Sequence, residues 1–339
     1  MLSDLSMGTD SPSFVVVIGT SAGGFSALAE VISQLTVEMD AAFFVVMHLS
    51  KQGIGGYLVN QMQKYTSLFC TEVEKDTPIK KGTIYFANAN THLVVQKDQV
   101  VPGFGPTENH WRPSIDVLFR SAAASYDGHT IGIILTGQLD DGTAGMSSIK
   151  RCGGKTIVQD PNEAEYPQMP LSVLKEISVD YSVPLAQMGS VITKILSEEV
   201  VETDIPTDII KEVEIAESGG TIDELESLGK NSLLTCPDCG GILFKLDNEK
   251  VTRYKCHTGH TYYVNDLLNK QNKNLESTLW VALRTLEERK KLLSQLAEKN
   301  IERGFKRTAS EYTQKIDELQ KHVDTLKSVL FSTENEPNV

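Results

Sequence analysis

Three separated segments carry the side chains that ester or amide hydrolysis needs. Gly19-Thr20-Ser21-Ala22-Gly23-Gly24 ends one apolar run and opens a helical one. Serine occupies the second glycine position of the dinucleotide fingerprint G-x-G-x-x-G, where a side chain would obstruct close approach of a pyrophosphate. The same residues fit G-x-S-x-G, the tight turn that exposes a serine hydroxyl at a strand end with helix N–H groups behind it. A nucleophilic Ser21 is the favoured reading; a phosphate-holding loop and a plain tight turn are the alternatives. His48 ends the run Phe43-Phe44-Val45-Val46-Met47-His48. Imidazole titrates near neutrality and can take the serine proton, although a lone histidine after a buried strand is more often a core residue. Asp140 and Asp141 follow a third apolar run, in Thr136-Gly137-Gln138-Leu139-Asp140-Asp141-Gly142. Either could orient the imidazole; either could merely cap the next helix.

These residues need a scaffold that gathers distant strand ends. Short β-branched runs at 14–18, 43–48, 83–86, 131–135 and 155–158 alternate with helix-like segments. The runs are almost wholly apolar, as expected of strands covered on both faces, so the expected fold class is α/β. It is read as a doubly wound, mostly parallel three-layer α/β/α sheet over 13–197. The stretch 72–102 is expected to form an antiparallel edge or hairpin. In such a sheet the strand carboxyl ends share one edge, where sites form.

A fourth segment has the chemistry of a metal site. Cys236-Pro237-Asp238-Cys239-Gly240-Gly241 is followed by Cys256-His257-Thr258-Gly259-His260. The adjacent side chains of Cys256 and His257 diverge, which leaves Cys236, Cys239, Cys256 and His260 as a closed set of four zinc ligands. A redox Cys-x-x-Cys is the lesser alternative. The site is read as structural, in a zinc-ribbon-like module over 231–264. It is joined to the sheet domain by an acidic linker over 198–230. Residues 198–227 contain eleven acidic side chains and one basic, −10 of the net −13, and read as a solvated, self-repelling segment. From 265 to 332 the pattern is a helical hairpin or coiled coil. Tyr312, Ile316, Leu319, Val323, Leu326 and Leu330 recur at a/d spacing after a break near 300–304. A parallel dimer through the second helix, and hence a homo-oligomer, is the rival arrangement.

Composition narrows the function classes. A hydrophobic fraction of 40% supports a globular core, and an excess of acids, 45 against 32 bases, argues against coating nucleic acid. The longest apolar stretch, 41–47, is far short of the ~20 residues that span a bilayer. The first thirteen residues show no basic and apolar leader, so a cytoplasmic protein is expected.

The serine, histidine and aspartate segments, in this order and spacing, resemble the catalytic domain of the chemotaxis protein-glutamate methylesterase (CheB) family. Arg112-Pro113-Ser114-Ile115-Asp116-Val117-Leu118-Phe119 and Gln168-Met169-Pro170 match as well. The resemblance covers about 14–197. It implies a Ser21, His48, Asp141 triad and hydrolysis of glutamyl γ-methyl esters on chemoreceptor signalling helices, often with deamidation of receptor glutamines. No cofactor is implied for catalysis. The implied partner is a methylated chemoreceptor or another methylated signalling protein. Two departures stand out: Gln138 replaces the family's usual methionine, and only thirteen residues precede the first catalytic strand, where well-known members carry a phospho-receiver domain. The C-terminal part resembles an extension of some receiver-less members and is read as an interaction module. The competing function is a non-catalytic adaptor with the esterase fold.

Overall fold

The apolar runs form strands because each is covered on two sides. All residues of β1 (Phe14–Thr20) and β2 (Ala41–Met47) are buried. Val16 and Ile18 enter one core cluster and Val15 and Val17 the other, so successive side chains feed opposite layers. Each fully buried aliphatic side chain contributes about 1.5–3 kcal/mol relative to an exposed one. The structure, a computed structural model, describes residues 11–48, 55–201, 203–218, 221–246 and 251–333. The expected absence of a leader therefore falls largely outside the described residues.

The further strands of the sheet domain are β3 (Phe69–Val73), β4 (Thr77–Pro78), β5 (Thr83–Ala87), β6 (His92–Val95), β7 (Gln99–Gly103), β8 (Thr130–Ile134), β9 (Lys155–Gln159) and β10 (Tyr181–Val183). Among the described residues, seven make one sheet in the order β10-β9-β8-β1-β2-β5-β3, every pair parallel. The 72–102 stretch divides. Its β5 lies inside the parallel sheet, while β4, β6 and β7 form a small antiparallel sheet. The helices are α1 (Gly24–Ile32), α2 (Gly55–Met62), α3 (Ile115–Tyr126), α4 (Thr143–Arg151), α5 (Gln168–Glu176) and α6 (Met188–Leu196). Buried residues of α1, α2 and α6 belong to one cluster and those of α3, α4 and α5 to the other, which gives three layers.

The segment expected to be a free acidic linker is ordered instead. Helix α7 (Thr207–Ser218) places Ile209 in the core beside α3, and α8 (Ile222–Glu226) starts with a Thr221–Glu224 capping box. Glu202 lies outside the described residues. The reversal has a plain cause: Ile209, Ile215 and Leu225 are buried, and Glu212, counted as a solvated acid, sits 4% exposed between cationic partners. Beyond it, β11 (Gly229–Thr235), β12 (Ile242–Leu246), β13 (Arg253–Cys256) and β14 (Thr261–Tyr263) form an antiparallel sheet.

The chain divides into two compact units, 1–264 and 265–339. The second consists of α9 (Val264–Glu302) and α10 (Lys306–Thr333). Leu283 is buried with Val323 and Leu330, and Lys327 reaches Glu287 at 3.5 Å. Leu279, Leu286 and Leu326 line the same seam, an antiparallel arrangement with its turn after residue 302.

Candidate active site and metal cluster

Strand register brings the serine and histidine to one edge. Thr20 pairs with Met47, and Gly19 pairs with both Val46 and Ile134. Ser21 and His48 therefore leave adjacent strands at the same level, and the backbone N–H of His48 donates to Thr20 O at 3.1 Å. The glycines of the turn have separate reasons. A Cβ on Gly19 would enter the Ile115 side chain, and Gly23, at φ 71°, caps α1 in a left-handed conformation that β-carbon-bearing residues avoid. The N–H of Ser21 is used by Thr136 O at 3.1 Å. The amides of Ala22 and Gly23 come next, at the positively polarised start of α1.

Of the two acids, Asp141 faces the histidine. His48 Nε2 lies 2.9 Å from Asp141 Oδ2, with both side chains buried. Asp141 Oδ2 also accepts the Ile115 N–H at 2.7 Å. Its Oδ1 accepts from Asn109 Nδ2 at 2.9 Å, Ser114 Oγ at 2.9 Å and the Asp116 N–H at 3.3 Å. Burial alone would raise the Asp141 pKa, but the His48 hydrogen bond, with Asn109 and Ile115, holds it below the ordinary carboxylate value. Asp140 is turned away; its Oδ1 accepts from Ser172 Oγ at 2.6 Å, and its carbonyl accepts the Thr143 N–H.

An ionised carboxylate only accepts, so the His48 proton sits on Nε2 and the lone pair on Nδ1. Buried Nδ1 has no hydrogen-bond partner among the described residues. The expected Ser21–His48 hydrogen bond is therefore not made in this substrate-free structure. Such bonds are often long before substrate arrives. The indole of Trp111 covers the imidazole, with centroids 4.0 Å apart and 7° between planes.

Sequence reasoning missed Trp111, Asn109 and Ser114 as parts of this site. Ser114 and Ile115 lie in a segment that had been matched as a whole, without roles. Nothing in the sequence marks Asn109 or Trp111, since their contacts depend on the fold of the preceding loop. The guanidinium of Arg112 donates to Asn90 Oδ1 and Gly105 O. His92 is structural: its Nε2 donates to Pro106 O and its Nδ1 accepts the Ser114 N–H, with burial lowering its pKa.

The metal candidates also converge. One ligand atom each from Cys236, Cys239, Cys256 and His260 lies within 4.8 Å of all the others. Tight turns aim them: the Gly240 N–H donates to Cys236 O at 2.8 Å, and the Gly259 N–H to Cys256 O at 2.8 Å. The module around them is tied to the sheet domain by direct contacts and not only through the segment expected to be a linker. Lys255 Nζ donates to Glu108 Oε1 at 2.6 Å, and Arg253 binds Glu212 through two 2.8 Å bonds. Arg120 of α3 contacts both acids, at 2.9 Å to Glu108 and 3.1 Å to Glu212. Burial raises the Glu108 and Glu212 pKa values, but the surrounding cations win and push both well below normal, Glu212 to about 2.

The sheet domain has known relatives. The CheB methylesterase family model matches residues 16–192, more than half of the chain. The chain belongs to the CheB methylesterase family. A Leptospira interrogans protein, provisionally named protein-glutamate methylesterase/protein-glutamine glutaminase, is 35% identical over 181 residues, covering 53% of this chain and 93% of that one. A Mesorhizobium japonicum protein-glutamate methylesterase/protein-glutamine glutaminase is 35% identical over 182 residues, 53% of each chain. The chain thus spans about half the length of the Mesorhizobium relative. The CheB methylesterase catalytic domain of Thermotoga maritima superposes with a TM-score of 0.51 at 31% identity, covering 54% of this chain and 98% of that one. The sheet order and the helix layers described above belong to that shared part.

Proposed function

We propose that this protein is a protein-glutamate methylesterase, and a protein-glutamine glutaminase, that uses Ser21, His48 and Asp141 on methylated chemoreceptor signalling helices. The observation that carries the reading is the imidazole of His48. Its Nε2 is held by Asp141, and its Nδ1 lone pair is free at the strand edge from which Ser21 also emerges. Nδ1 takes the Ser21 proton as Oγ attacks the γ-carbonyl carbon. The Ala22 and Gly23 amides stabilise the oxyanion. His48 returns the proton to the departing methoxide, and methanol leaves. A water deprotonated by the same nitrogen then cleaves the acyl-serine to give the glutamate acid and free Ser21. With glutamine, ammonia leaves in place of methanol. Asp141 fixes the tautomer and stabilises the imidazolium. Gln138 is exposed in the loop that leads to Asp141, where it can touch the substrate helix.

The Cys/His cluster is read as a structural zinc site. Ligands about 2.3 Å from a tetrahedral zinc stand about 3.8 Å apart. Cys239 Sγ and Cys256 Sγ are 3.7 Å apart, and Cys256 Sγ and His260 Nδ1 are 3.6 Å apart, which fits. Four protein ligands would leave the ion no open position, so it would tie the strands together and supply no reacting group. Among the described residues no helix is long and apolar enough to cross a membrane. The cytoplasm, where receptor signalling helices are reached, is the proposed location.

Methanol release from a methylated receptor signalling fragment tests the reading. The full-length protein should release methanol stoichiometrically with loss of ester, and heat-treated protein should not. Tight binding of the fragment without methanol release would favour the adaptor.

A further inference from the structure

The module carrying the Cys/His cluster reaches the catalytic aspartate through its last strand. Tyr263, which ends β14, is 5% exposed. Its hydroxyl donates to Asp116 Oδ2 at 2.7 Å and accepts the Ala144 N–H of α4 at 2.9 Å. Asp116 Oδ2 also accepts from Asn109 Nδ2 at 2.8 Å, the same amide group that donates to Asp141 Oδ1 at 2.9 Å. The other end of Asn109 is held by β14 too, since its backbone N–H donates to Thr261 O at 2.9 Å. Two residues later, Trp111 lies over His48. Thr261 directly follows His260, and Tyr263 is three residues beyond it. One short strand next to a metal ligand thus fixes both the backbone and the side chain of the residue that steadies Asp141.

Resting on the triad reading above, we infer that Tyr263 is a positioning residue for Asp141, and that the metal-bound state of the Cys/His cluster, by holding β14, sets the turnover of the esterase. The geometry explains why. Asn109 is in a left-handed backbone conformation, φ 51°, as is its neighbour His110, φ 69°. Such a loop needs outside contacts to stay in place. β14 provides them, and the cluster turns provide the anchor for β14. If the cluster opens, Asn109 loses both ties, Asp141 loses a donor, and the Trp111 cover over His48 is released.

The test uses the full chain with zinc bound. Tyr263→Phe keeps the ring and removes only the hydroxyl. It should lower kcat about tenfold with KM nearly unchanged, as expected when a group that orients an active residue is lost. Zinc content should stay the same. The low-field NMR resonance of the proton between His48 Nε2 and Asp141 should shift or broaden, a readout that needs no substrate. Removing zinc by chelation should change the same resonance and lower kcat in the wild type. Its effect in Tyr263→Phe should be clearly smaller, so that the two losses are not additive. If chelation unfolds the module, Tyr263→Phe alone carries the test. The inference is overturned if Tyr263→Phe lowers only thermal stability, leaving kcat and the resonance unchanged. It is equally overturned if zinc removal from folded protein changes neither. If the wild type releases no methanol yet the resonance responds as described, the coupling stands and the esterase reading fails.

Discussion

Two buried carboxylate sites meet at the 108–111 segment, which gives Glu108 to one and Asn109 to the other, and they are built in opposite ways. Asp141 is surrounded by neutral donors: an imidazole, an amide, a hydroxyl and two helix N–H groups. Glu108 and Glu212 are surrounded by Arg120, Arg253 and Lys255. Neutral dipoles stabilise a carboxylate while leaving its charge uncancelled, so that charge is available to an imidazolium next to it. Cations cancel the charge and make a weld, because removing any one partner leaves buried charge uncompensated. Burial and hydrogen bonding alone do not separate the two kinds of carboxylate here. What separates them is the formal charge of the partners.

Of the two carboxylate sites, the neutral one should show the larger effect on turnover. Asp141→Asn should fold but lose roughly 10⁴-fold in kcat, because the amide favours the wrong imidazole tautomer. Asp140→Asn, whose amide oxygen can still accept from Ser172 Oγ, should stay within a few-fold of wild type. Steady-state methanol release on both variants decides this, and equal losses would mean the carboxylate is misassigned. On the cationic side the loss should appear as stability. Glu212→Ala should destabilise by about 3–5 kcal/mol by leaving Arg253 buried without its bidentate partner. Denaturant melts should show this, together with faster amide exchange in β13; an unchanged midpoint would break the contrast.

A smaller effect comes from Asp116, which sits between the two sites. Burial, then the negative charge of Asp141, raises its pKa from 3.8 to about 7, with Arg253 opposing. Its carboxyl therefore binds its proton more tightly when folded. The associated stability is complete below the ordinary 3.8 and is withdrawn as pH rises through about 7. Thermal melts of Asp116→Asn should lack the part of the decline between about pH 4 and pH 7 that wild type shows. Parallel curves would show that Asp116 does not titrate there. Glu212 has the opposite sign: its contribution is present above 4.5 and lost as pH falls towards about 2.

The same contrast explains how far the sequence could be read. The strands that carry Ser21 and His48 are apolar on both faces, so their runs stood out, and their register follows from the parallel sheet. Short edge strands did not stand out. β3 and β10 are half-exposed and carry polar residues such as Glu72 and Ser182. Serine and histidine were legible because spacing and strand ends are local features. Choosing Asp141 over Asp140 needed the family resemblance, as neighbours at a helix start look alike. The weld was not legible because it joins residues 108, 120, 212, 253 and 255, and an acid's burial depends on cations far away in sequence. Glu212 looked like one more charge in an acidic run.

The central claim is that Ser21 is the attacking group in ester hydrolysis. Its most direct test compares methanol release by wild type and Ser21→Ala on the same methylated receptor fragment. The variant removes one hydroxyl from a half-buried turn and should melt like wild type. The account predicts a loss of roughly 10⁶-fold, as for nucleophile removal in other serine hydrolases. A folded Ser21→Ala protein that still releases methanol within tenfold of the wild-type rate would contradict it.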